Sequence, residues 1–134
     1  MGHLLERVLD ALAEAVTVNN ENGQVVYANA AALDLLGAAS LDEVLAASGE
    51  ELMNRFTVTR ADGTPVELDD LPGHHAIRGD TAEPLLTRTV DRVTGRARWL
   101  LTKSTLLDDD GPLSVNIIDD VTDLHEPGGA PGVA

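Results

Sequence analysis

The chain has 134 residues, 43% of them hydrophobic, and a formal net charge of −14, which suits one domain with a single packed core. The negative charge argues against nucleic acid or an anionic membrane as partner, because phosphate binding needs Lys and Arg. Zero cysteines exclude disulfides, thiolate metal sites and a cysteinyl adduct with a cofactor.

Residues 1–14 carry Leu5, Val8, Leu9 and Leu12 on one helical stripe, with Glu6, Arg7, Asp10 and Glu14 left for water. That predicts an N-terminal amphipathic helix, which either pairs with a second copy in a homodimer or caps its own sheet. Glu6 stands where a myristoylation pattern wants Ser or Thr, there is no cleavable signal pattern, and no apolar run approaches the ~20 residues that span a bilayer. The expectation is a cytoplasmic protein without membrane insertion.

"AVTVNNENGQVVYAN" gives two β-rich runs around Asn22-Gly23, a strong hairpin signal. "AAALDLLG" is a short helix ended by Gly37, and "SLDEVLAA" opens with Ser40 and Glu43 in capping-box spacing. "GEELMNR" adds another helical turn. "FTVTRADGTPVEL" reads as a short strand, an Asp62-Gly63 turn and an extended return, and "DDLPGHHAIRGD" as a helix with Pro72 in its first turn, stopping at Gly79. "PLLTRTVDRV", "RARWLLTKSTLL" and "PLSVNIIDDV" are joined by short turns and predict an antiparallel meander. The expected class is α+β, with about five main strands and short helices on one sheet face. Residues 125–134, "HEPGGAPGVA", read as a flexible linker.

No catalytic constellation stands out. Asp119 and Asp120 are strand neighbours and point to opposite faces, so they form no carboxylate dyad. Asp108, Asp109 and Asp110 precede Gly111 as turn residues, without calcium-loop spacing. His74 and His75 lie about 100° apart on a helix, a poor metal pair, so no metal site is expected. There is no nucleophile elbow, Walker loop or Rossmann glycine run. One Trp, one Tyr and one Phe leave few rings for stacking on a flat ligand.

The ordered set of "AVTVNNENGQVVYANAAALDLLG", "ADGTPVELDDLPGHHAIRGD" and "GRARWLLTKSTLLDDDGPLSVNIIDDVTD" resembles a PAS domain of bacterial regulators, over about residues 4–124. The carriers are the Asx-Gly turn, Tyr-x-Asn at the end of the second strand, the Leu-Gly helix end, Leu-Pro and Arg-Gly around a short helix, Trp-Leu, and the terminal Asp-x-Thr. The resemblance implies a sensory or interaction module, not an enzyme, spanning residues 15–124. It would pass a conformational signal to an output domain, covalently linked or separate: a histidine kinase, a diguanylate cyclase or a serine phosphatase.

The resemblance also implies a ligand pocket between strands and short helices, sometimes holding flavin or haem. The missing Cys excludes the flavin photochemistry that forms a cysteinyl adduct, and the position of the two His argues against haem. The pocket candidates are Leu33, Leu36, Met53, Ile77 and Leu101, an aliphatic lining suited to a small apolar ligand, together with His75 and Trp99, with a protein partner as the other reading. Asp120 and Thr122 would be the signalling junction. Two rival readings are a small-molecule enzyme with a cone-shaped cavity, isomerase-like, and a docking module without ligand.

Overall fold

The computed structural model describes residues 4, 7, 8, 11–108 and 111–125. Six antiparallel strands form one sheet: β1 (Ala15–Asn19), β2 (Val25–Ala28), β3 (Phe56–Thr59), β4 (Leu85–Asp91), β5 (Ala97–Asp108) and β6 (Pro112–Asp120), in the order β2-β1-β6-β5-β4-β3. The sixth strand beyond the expected five is Phe56–Thr59, which pairs with β4 at the sheet edge. Between the hairpin and the meander lie α1 (Ala30–Leu36), α2 (Leu41–Leu45), α3 (Gly49–Asn54), a single 3-10 turn (Leu68–Asp70) and α4 (Pro72–Ile77). A last turn, α5 (Thr122–His125), follows β6.

Local chemistry explains where these elements begin. Asn29 is fully buried and caps α1: its side-chain oxygen accepts from the Ala32 amide at 3.0 Å. The same oxygen accepts from the Val16 amide at 2.9 Å, while its NH₂ group donates to the Glu14 carbonyl at 2.9 Å. One side chain thus starts a helix and extends the β1–β2 pairing by a further rung. Gly37 ends α1 with φ +72, and its amide donates to the Asp34 carbonyl.

The reciprocal capping box forms at Ser48 and Glu51, at the start of α3. At Ser40, where the sequence suggested one, the hydroxyl accepts from the Glu43 amide at 3.3 Å. No returning bond from Glu43 accompanies it among the described residues.

The aliphatic core sits where α1 and α2 meet β1 and β2. Ala15, Val25, Ala28, Ala32 and Val44 are buried there, with Leu33, Leu35 and Leu41 packed against them. Of the N-terminal stripe, Leu5 and Leu9 lie outside the described residues, while Val8 and Leu12 are exposed, at 51% and 43%. The predicted linker lies outside the described residues apart from the backbone of His125. Among the described residues no helix is long and apolar enough to cross a membrane.

Candidate functional site

The meander and the short helices enclose a cavity of about 570 Å³, within the range of small-molecule sites. Its two walls differ in chemistry. Leu35 and Leu36 of α1, Leu52 and Met53 of α3, Phe56 and Val58 of β3, and Ile77 of α4 give an apolar wall. The sheet gives a polar one: Thr17 and Asn19 of β1, Ser114 and Asn116 of β6, Arg98 and Thr102 of β5, and Thr87, Thr89 and Asp91 of β4.

Strand alternation produces this wall. Every second residue of β5, namely Arg98, Leu100 and Thr102, faces the cavity, so Trp99 and Leu101 belong to the opposite face of the sheet. Those two expected lining residues are therefore misplaced by one position. His75 is misplaced for the helical equivalent of the same reason: from Pro72, one residue turns the side chain by about 100°, and His74 joins Ile77 in the wall instead. The His75 ring lies 3.3 Å from the Arg78 guanidinium. Leu33 is absent from the cavity wall and packs on the core cluster. Leu36, Met53 and Ile77 are in the wall.

The polar wall is mostly satisfied within itself. The Asn116 NH₂ donates to Asn19 Oδ1 at 2.8 Å and to Thr17 Oγ1 at 3.2 Å, and the Ser104 hydroxyl donates to Asn116 Oδ1 at 2.6 Å. The hydroxyls of Thr87 and Thr89 are 3.1 Å apart. Gly73 of α4 presses on this network: a Cβ added there would fall 2.8 Å from Asn116 Oδ1. His74 Nδ1 lies 3.4 Å from the Asp69 carboxylate, while His74 Nε2 is buried and has no hydrogen-bond partner among the described residues.

Arg55 and Asp91 tie the helices to the end of β4. The guanidinium donates to both Asp91 oxygens, at 2.9 to 3.2 Å, and to the Gly37 carbonyl at 3.2 Å. The Arg55 hydrogen bonds pull the Asp91 carboxyl down to about 2, helped by the Val93 and Thr94 amides. So low a carboxyl is ionised at neutral pH and a weak proton acceptor, unlike the tuned acid that a cavity enzyme would need. Among the described residues no group of three or more His, Asp or Glu is placed to hold a metal ion.

The end of β6 forms a joint. The Thr122 amide and hydroxyl both donate to Asp120 Oδ1, at 3.0 and 2.5 Å, and the Thr122 hydroxyl accepts from the Trp99 amide at 3.0 Å. The Val121 amide donates to the Trp99 carbonyl at 2.8 Å, so the β5–β6 pairing passes into α5 through side chains. Arg98, in the cavity wall, places its Nε 4.0 Å from Asp120 Oδ2. Glu14 also reaches this region, and its hydrogen bond with Asp119 raises its carboxyl above the ordinary value.

The sequence reading missed Arg98, Asn116, His74 and the Arg55–Asp91 link. Strand alternation ties Arg98 and Thr102 to Leu100, but Leu100 and Leu101 are both apolar and leave the inward face undetermined in the sequence.

A PAS domain model matches residues 3–72, more than half of the chain. No curated protein matches it. Among solved structures, a PAS domain from a two-component sensor histidine kinase superposes with a TM-score of 0.61 at 17% identity, covering 87% of this chain and 93% of that one. The PAS domain of nitrogen regulation protein NR(II) from Vibrio parahaemolyticus gives 0.61 at 15% identity, covering 89% and 99%. The Vibrio cholera VqmA–ligand–DNA complex gives 0.63 at 14% identity, covering 92% of this chain and 53% of that one. At these identities the structures establish likeness of fold. The family match over more than half of the chain shows that it belongs to the PAS domain family.

Proposed function

We propose that this PAS domain is a sensory module, spanning residues 15–124, that holds a small molecule in its cavity. It transmits occupancy through Asp120 and Thr122 to an output module such as a histidine kinase, a diguanylate cyclase or a serine phosphatase. The observation that carries this reading is Arg98: it lies in the cavity wall and its nearest carboxylate is Asp120 of the joint. An occupant that moves Arg98 acts on the residue that terminates β6. Pairing of two copies through Leu5, Val8, Leu9 and Leu12 belongs to the same proposal, supported by the exposure of Val8 and Leu12.

The test couples two measurements. Native mass spectrometry of the full chain, purified from cells, is expected to show a bound species that denaturation releases. Asp120→Ala in a protein carrying the output module is expected to leave the circular dichroism spectrum unchanged and to abolish the output's response to that species. A normal response from the variant would refute the junction.

A further inference from the structure

Arg98 is only 15% exposed, yet among the described residues its side chain has one ion-pair contact, to Asp120 at 4.0 Å, and no hydrogen bond. A guanidinium carries five N–H donors, and a mostly buried cation with so little compensation is costly. The neighbouring Arg55 shows the alternative, a two-pronged pair with Asp91. Arg98 is thus an underused donor in the cavity wall of a protein that has nine cationic residues against 23 acids.

Its surroundings fit an oxygen anion. Thr89 stands directly opposite Arg98 in the β4–β5 register, and the Thr89 hydroxyl is 3.1 Å from that of Thr87. Side chains directly opposite on antiparallel strands lie within about 5 Å at Cβ, so Thr89 and Arg98 leave the same face of the sheet from adjacent points. Of the acids in the cavity wall, Asp91 is already neutralised by Arg55, while Glu21 and Asp34 stand in the wall as well, with Arg96 as a further cation. The facing wall, with Leu36, Leu52, Met53 and Phe56, offers an apolar bed.

We infer that the cavity takes an aliphatic carboxylate, its head on Arg98 with Thr87 and Thr89 and its chain along the leucine-rich wall. This rests on the cavity being a ligand site and adds the ligand's chemical class. It also gives occupancy a physical route outward, because a bound carboxylate competes with Asp120 for Arg98.

The test is calorimetric titration of the full chain at neutral pH with decanoate and with 1-decanol, which share a chain and differ in charge. Decanoate should bind at least about tenfold more tightly, and Arg98→Gln should remove that preference. Should Arg98→Gln fail to fold, Thr89→Val carries the test, with a smaller preference for decanoate over decanol expected. The Thr122 amide resonance should shift with decanoate and not with decanol. Equal binding of the two probes overturns the anionic head group and leaves the cavity reading standing. Binding of neither overturns both. A decanoate preference that survives Arg98→Gln, or that Thr89→Val leaves undiminished, overturns the assignment of the head group to these residues, and an unmoved Thr122 resonance overturns the route through Asp120.

Discussion

Asn29→Ala tests how much of this fold hangs on one polar side chain. Asn29 is completely buried, and its side chain caps α1 at Ala32, takes the Val16 amide of β1 and donates to the Glu14 carbonyl. Loss of a helix cap costs about 1 kcal/mol. A buried amide left without an acceptor adds ~1–3 kcal/mol, and the Val16 amide is such a group, since the Val16 backbone otherwise pairs with Asn29 itself. The two effects share one side chain and do not fully add, so the expected total is about 2–4 kcal/mol.

That is a large share of the ~5–15 kcal/mol that holds a domain together, and it lowers the midpoint of thermal unfolding by roughly 8–16 °C at about 4 °C per kcal/mol. Urea denaturation with an unchanged slope measures it directly. Ser40→Ala is the control: its hydroxyl also caps a helix but is exposed, so about 1 kcal/mol or less is expected. Asn29→Asp keeps the acceptor and loses the donor to Glu14, and should fall between them. If Asn29→Ala costs no more than Ser40→Ala, the side chain is a cap alone and its role in joining β1 to β2 is wrong.

Three further outcomes are expected. Gly73→Ala gains helix propensity, yet its Cβ would meet Asn116 Oδ1 at 2.8 Å and Ser114 Oγ at 3.1 Å; the overlap should win by about 1–3 kcal/mol, and an unfolding midpoint equal to the parent's would refute the close approach. Thr122→Val removes the acceptor of the Trp99 amide, which should cost about 1 kcal/mol and speed hydrogen exchange at Trp99 before any other β5 amide. Asp91 has a folded pKa of about 2, below its ordinary 3.8, so the Arg55–Asp91 link contributes fully above about pH 4 and fades as pH falls through 2. A carboxyl-carbon NMR titration should show this, with Arg55→Gln returning the midpoint toward 3.8; a parent midpoint already there would remove the link.

Local signals made the fold legible. Asn22-Gly23, Gly37, Pro72 and the meander's short turns each mark an element boundary with chemistry confined to a few residues, and the structure places boundaries there. Phe56–Thr59 was legible as a strand, but its place in the main sheet depends on pairing with β4, whose nearest partner is Arg88, far along the chain. The site was less legible. Leu100 and Leu101, or Ile117 and Ile118, are apolar on both faces of their strands, so composition gives no parity, and a slip of one residue exchanges Trp99 and Leu101 for Arg98, Leu100 and Thr102. The choice of His75 over His74 failed likewise, since both are histidines and only the angle from Pro72 separates them.

The parity that hid the site also explains why it exists. A sheet face of leucines would close against Leu36, Leu52 and Met53 and leave no space, because apolar walls collapse onto one another. Thr17, Asn19, Ser114 and Asn116 hold one another in fixed hydrogen bonds, so this part of the wall is rigid and gains little from closing over an apolar partner. The cavity persists where a satisfied polar surface faces an apolar one. The Arg98 side chain lies beyond that network, with an ion-pair contact to Asp120 and no hydrogen bond among the described residues, so it keeps donors available to an occupant.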